Sequence, residues 1–324
     1  MTENGNKKRI NYADQKRKNS EKQKIRGFLF ALFGGILWGF SGTCGQYLFT
    51  FEDLDSEWLT VTRMLFSGII LLGISAISHR EEMTAVWKNK KDAIRLVLFA
   101  ILGLTNCQYM YLTAIAYSNA GTATVLQYLG PALIMIISCV MGRRLPSKKE
   151  LGAILLAITG TFLLATHGNP GTLVISKEGL FWGLSSAVAL VLYTMLPGNL
   201  ISRYGSTVIV GFGMMIGGIF LFFVFGYWNY KITFHLPLVL GVGAIVLIGT
   251  ALAFTLYLQG VSDIGSVKAS MIACVEPVSA TTISALWLKT KFTGIDIVGL
   301  IAILTAVLLL SKKDNSRVKT LSVE

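Results

Sequence analysis

The sequence predicts an all-α integral membrane protein whose ten transmembrane helices form two inverted five-helix repeats. Three observations lead there. Of 324 residues, 53% are hydrophobic and 14% charged, with a mean hydropathy of +0.62, against about 45–50% and about 25% in soluble domains. Apolar runs near the ~20 residues that cross hydrocarbon begin at Gly27, Trp58, Leu96, Ala120, Leu151, Gly179, Ser206, Leu236, Gly265 and Ile297. Motifs of the first half also return in the second at a nearly constant offset.

Residues 1–26 are strongly basic and lack apolar periodicity, so they read as a disordered cytoplasmic tail. The run from Gly27 to Phe51 is longer than the core of a signal peptide and is expected to stay as the first span. The first repeat covers residues 27–166, an external linker 167–177, the second repeat 178–311, and a cytoplasmic tail 312–324. The fifth span (Leu151 to Thr166) and the tenth (Ile297 to Ser311) are the shortest and carry few polar side chains. They read as bracing or homodimer-contact helices rather than a binding site.

With the amino terminus inside, 22 of the 29 basic residues fall on the cytoplasmic side and 4 on the other. Loops near cytoplasmic helix ends hold the excess of Lys and Arg, so both termini are expected in the cytoplasm of a cell whose plasma membrane holds the protein. The net charge of +12 is thereby explained by orientation, with no nucleic-acid partner.

Trp38-Gly39-x-Ser41 recurs as Trp182-Gly183-x-Ser185 at an offset of 144. Tyr111-Leu112, Ala123 and Pro131 recur as Tyr257-Leu258, Ala269 and Pro277 at 146, and Leu151-Gly152 is echoed by Val298-Gly299 at 147. Five spans is an odd number, so the second copy crosses the membrane in the opposite sense, an arrangement common in secondary transporters.

These motifs, together with Glu276-Pro277 in the ninth span and Arg63 in the second, resemble the EamA type of the drug/metabolite transporter superfamily. The resemblance covers nearly the whole chain after the tail. It implies proton-linked or facilitated movement of amino acids and related metabolites by alternating access, often as export. Separately, an aromatic-walled pocket of Trp38, Trp182, Tyr128 and Tyr257 with Glu276 at one end would suit an organic cation bearing an amine or quaternary nitrogen.

Glu276 is the leading candidate, because a carboxylate at mid-membrane costs roughly 2.5–3.5 kcal/mol on insertion scales and requires compensation. A protonated carboxyl that merely holds a neighbouring helix is the competing reading. Pro131 and Pro277 remove the N–H groups that would bond the carbonyls of Gln127 and Ala273, so both helices should bend there, as hinge or cavity wall. Polar and aromatic residues at helical spacing mark wetter faces of the third, fourth, sixth and eighth spans. From these, Tyr109, Gln127, Tyr128, Trp182, Tyr193, Phe254 and Tyr257 are expected to line a substrate pocket with Trp38 and Glu276. For each aromatic, plain packing competes with solute contact. Arg63 and Lys268 lie near span ends and read as snorkelling anchors.

Cys44, Cys107, Cys139 and Cys274 have no metal-ligand spacing, and no hydrolase or nucleotide-binding motif occurs, so neither metal nor cofactor is expected. The expected partners are a small-molecule solute, the lipid bilayer and protons. A channel would require charge rings or a carbonyl filter. An intramembrane enzyme would require a partner for Glu276, and no second central acid or His accompanies it.

Overall fold

The computed structural model describes residues 3–169, 171 and 173–311, leaving aside the side chains of 3–20, 266, 267, 270, 271 and 311. All regular structure among the described residues is helical. Among the described residues, eight helices are long and apolar enough to cross a membrane. They are α1 (Glu3–Phe51), α2 (Ser56–Ser78), α3 (Lys90–Ala116), α4 (Ala120–Met141), α5 (Lys148–Thr166), α6 (Lys177–Met195), α7 (Ser206–Val224) and α8 (Leu236–Ile264). The ninth expected span, α9, is split into Ser266–Ala273 and Val275–Trp287, and α10 (Gly294–Ser311) has a shorter apolar stretch. Short helices Arg80–Lys88 and Leu200–Tyr204 cap the face from which α1 enters, here called the tail face.

Two expectations meet the structure at the chain ends. The first helix continues back to Glu3, through the segment read as disordered. That segment holds no proline and is rich in Lys, Glu, Gln and Arg, good helix formers. The tail 312–324 lies outside the described residues.

Local signals start the helices where they begin. Asn119 accepts from the Thr122 N–H at 2.8 Å, Ser176 from Gly179 at 3.0 Å, and Ser147 with Glu150 forms a reciprocal capping box. Both prolines do what their missing N–H demands. Helix α4 is interrupted at Tyr128–Leu129, just before Pro131, and α9 at Cys274, just before Pro277.

Helix α1 packs on α8 and α9, α6 packs on α3 and α4, α2 on α7, and α5 on α10. This pattern is unchanged when each helix is exchanged with the one five places along. The Trp-Gly motifs explain two of the contacts. A Cβ at Gly39 would lie 2.7 Å from both the Glu276 carbonyl oxygen and the Ala280 nitrogen, so only glycine lets α1 lie against the bend of α9. At Gly183 a Cβ would collide with the Leu126 side chain, where α6 lies on α4.

Helices α3 and α8 each contain a widened π-helical stretch, Phe99–Thr105 and Ala244–Leu252. In each, a threonine hydroxyl donates to the carbonyl five residues back, Thr105 to Ala100 at 2.7 Å and Thr250 to Ile245 at 2.9 Å. Such stretches recur at functional sites.

Polar contacts join residues 26–166 to 178–311 at both faces. Away from the tail face, buried Gln46 donates to Thr290 Oγ1 at 2.9 Å, and its oxygen accepts from the Ala120 N–H and Ser284 Oγ, each at 3.0 Å. One side chain thus satisfies an otherwise orphaned helix N-terminus and ties three helices. At the tail face Arg26 bonds Asp263 through two nitrogens at 2.8 Å, and Asp92 accepts from Tyr204 at 2.8 Å and Arg203 at 3.2 Å. The Asp92 acceptor raises the Tyr204 phenol above its ordinary pKa.

Candidate functional site

A cavity of about 130 Å³ opens where seven helices meet. Trp38 comes from α1, Arg63 from α2, Leu104, Cys107, Gln108 and Tyr111 from α3, and Gln127 from α4. Tyr193 of α6, Phe254 of α8 and Glu276 of α9 complete the wall. Both halves of the chain therefore build it.

Glu276 sits in the first turn after the break in α9. The Tyr128 hydroxyl, from the break in α4, lies 3.1 Å from Glu276 Oε2 and 3.1 Å from the Ala273 carbonyl oxygen. The Ala273 carbonyl is the acceptor that Pro277 deprives of its helical N–H. A hydroxyl carries a single proton, so the two oxygens share one donor.

Arg63 is buried, with 5% of its surface exposed, and its Nε donates to Thr250 Oγ1 at 3.1 Å. This corrects the snorkelling reading. The widened stretch of α8 carries Thr250 against α2, and the guanidinium points into the protein instead of reaching a surface. Arginine has five N–H donors, and the bond to Thr250 uses one of them. Arg63 and Glu276 feel each other's charge, yet no ion pair joins them. Lys268, by contrast, is exposed at the tail-face end of α9, as an anchor would be.

Of the expected pocket residues, Trp38, Gln127, Tyr193, Phe254 and Glu276 line the cavity. Tyr257 stands behind it, its ring 4.9 Å from that of Trp38, which also meets Phe254 edge-on at 5.1 Å. Tyr109 and Trp182 are not on the wall. They pack on each other at 5.5 Å, and the Tyr109 hydroxyl donates to Glu57 at 3.0 Å. Asn106, Tyr109 and Thr113 of α3 turn their polar groups toward their own helix backbone and the start of α2. The cavity face is instead Leu104, Cys107, Gln108 and Tyr111, a stripe at the same helical spacing with only two polar members. Tyr111 donates to or accepts from Thr124 at 2.8 Å, and Gln127 donates to Cys107 Sγ at 3.6 Å, fixing α4 against α3.

Residues 25–166 and 177–312 each match the EamA-like transporter family. The chain is 40% identical over 294 residues to the uncharacterized inner membrane transporter YicL of Salmonella typhimurium, covering 91% of this chain and 98% of that one. It is 25% identical over 222 residues to the uncharacterized transporter YetK of Bacillus subtilis, covering 66% and 67%. A solved crystal structure superposes with a TM-score of 0.60 at 15% identity, over 87% of this chain and 95% of its own, a likeness of fold.

Proposed function

The chain belongs to the EamA-like transporter family and is a multi-pass membrane protein, and from that premise we propose that it is a secondary-active transporter of small zwitterionic metabolites of the amino-acid class. One observation carries the substrate class. Arg63 and Glu276 face one cavity from opposite halves of the chain, and no ion pair joins them. A guanidinium fork suits a carboxylate and a buried carboxylate suits an amine. The rings of Trp38 and Phe254, in contact on one wall, support an ammonium group or an apolar side chain packed against them. A solute bearing only positive charge would meet Arg63 unfavourably.

The transport cycle we propose is alternating access between two inverted five-helix repeats making ten spans. The exchangeable packing pattern, the paired bends at Pro131 and Pro277 and the paired widened stretches support that reading. Both termini are assigned to the cytoplasm on the distribution of basic residues.

Protons are the proposed coupling ion. When Glu276 is protonated it donates to Tyr128 Oη, freeing the tyrosine proton for the Ala273 carbonyl, so every group at the bend is satisfied. When Glu276 is ionised it claims the tyrosine proton and the carbonyl loses its donor. Proton occupancy is thereby linked to the bend in α9, and a ligand ammonium reaching Glu276 would displace the proton.

The experiment is thermal unfolding of purified protein with matched ligands: amino acids, their decarboxylated amines and their N-acetylated acids. Binding to the folded form raises stability with ligand excess over Kd. Stabilisation by zwitterions alone supports the proposal; stabilisation by amines lacking a carboxylate would transfer the site to organic cations. Proteoliposomes then separate coupled transport, which accumulates solute along a proton gradient, from a facilitator, which only equilibrates it.

A further inference from the structure

A second concavity lies on the flank of the bundle, apart from the transport cavity. It encloses about 450 Å³ between α4, α5 and α6. Its floor is Ala132, Ala157 and Ala187, all buried, and its rim is Ile158, Phe162 and Val188, all exposed. The single polar side chain on its wall, Thr161, donates its hydroxyl to its own helix at the Ala157 carbonyl, 2.8 Å away. Nothing there offers a water molecule the two to four partners it needs, so the occupant is apolar.

The turn joining α4 to α5 at the tail face supplies the charge. Arg144 is committed to Glu150 through two bonds of 2.8 and 2.9 Å. Arg143, Lys148 and Lys149 are exposed, and among the described residues their side chains make no hydrogen bond or ion pair. Ile154 and Phe162 follow Lys149 by five and thirteen residues. At 1.5 Å per residue the crevice therefore runs from about 7 to about 20 Å beyond the basic turn. The hydrocarbon core is about 30 Å thick, so this is the depth reached by the acyl chains of one leaflet.

We propose that the crevice and this turn together bind an anionic phospholipid, with an acyl chain lying over Ala132, Ala157 and Ala187 and the phosphate held by Arg143, Lys148 and Lys149. The chain contact is indifferent to headgroup. The three unpaired cations favour a lipid of net negative charge over a zwitterionic one. The proposal stands apart from the solute reading, since no residue is shared with the transport cavity.

The test is thermal unfolding of the purified protein in detergent with added phosphatidylglycerol or phosphatidylcholine carrying identical chains. Phosphatidylglycerol is expected to raise Tm by a few degrees more than phosphatidylcholine. The variant R143Q/K148Q/K149Q should lose that difference, whereas K88Q/K90Q/K91Q, at the same face, should keep it. The variant I158W/V188W enlarges two exposed rim residues, so the core is undisturbed, and should lose stabilisation by both lipids. Equal stabilisation of the parent by both lipids overturns the proposal. So does a headgroup preference that survives R143Q/K148Q/K149Q or vanishes in K88Q/K90Q/K91Q, or a rim variant that responds like the parent.

Discussion

The Tyr128 hydroxyl stands 3.1 Å from the Ala273 carbonyl oxygen, bridging the break of one helix to the break of another. The same hydroxyl reaches Glu276, so removing it takes away the one donor that these two part-buried acceptors share. Tyr128→Phe is expected to destabilise the protein by about 1–3 kcal/mol, the cost of stranding buried polar groups. Chemical or thermal unfolding of the variant measures this, and a wild-type midpoint would show the bridge to be dispensable.

Glu276→Gln retains shape and can donate permanently to Tyr128, mimicking the protonated side chain. The variant should fold and insert normally yet lose both the pH dependence and the concentrative component of flux in proteoliposomes. Transport that follows the parent's pH profile would reduce Glu276 to a structural residue.

Arg63→Lys keeps the charge but not the planar fork. If the fork holds a carboxylate, solute affinity should fall by roughly tenfold or more, corresponding to about 1.5–3 kcal/mol for hydrogen bonds to a charged group. Equilibrium binding of whichever amino acid stabilises the parent decides this; unchanged affinity would remove Arg63 from the solute site.

Gly39→Ala and Gly183→Ala are equivalent in sequence but not in surroundings. The new Cβ at 39 meets backbone atoms of α9, which cannot yield, whereas at 183 it meets the side chain of Leu126, which can. Overpacking costs about 1–3 kcal/mol, and Gly39→Ala should lie at or above the top of that range with Gly183→Ala near the bottom. Comparing expression and unfolding midpoints of the two variants tests the order.

Single cysteines replacing Asp53 and Lys149 should react with an impermeant thiol reagent from opposite sides of the membrane. The four native cysteines are buried, so background labelling should be low. Labelling of both sites from outside intact cells would refute the assigned orientation.

How far the sequence reached depends on what kind of rule governs each residue. Pro131 and Pro277 announce their bends because a missing N–H is a covalent property, indifferent to neighbours. Glu276 stands out because a carboxylate within an apolar run is costly wherever the run folds. Arg63 misled because depth along a helix is compatible with either a surface or an interior direction, and only the approach of Thr250 from α8 decides between them. Tyr109 and Trp182 were attractive for the same local reasons as Trp38, yet which aromatic faces the cavity is fixed by helix rotation. The true stripe on α3 was obscured because Leu104 and Cys107 look apolar.

On the two-repeat reading, the widened stretches of α3 and α8 also bear on ancestry. Each π-helical turn holds one residue more than an α turn, and the two occur at Phe99–Thr105 and Ala244–Leu252, close to the interval that relates the sequence motifs. On the two-repeat reading, the extra residue was therefore present in the ancestral half-length chain before it was copied. Deleting one residue from either stretch would rotate everything beyond it by about 100°, given 3.6 residues per turn. In α8 that rotation would carry Phe254 off the cavity wall, so the insertion is the setting that aims the helix.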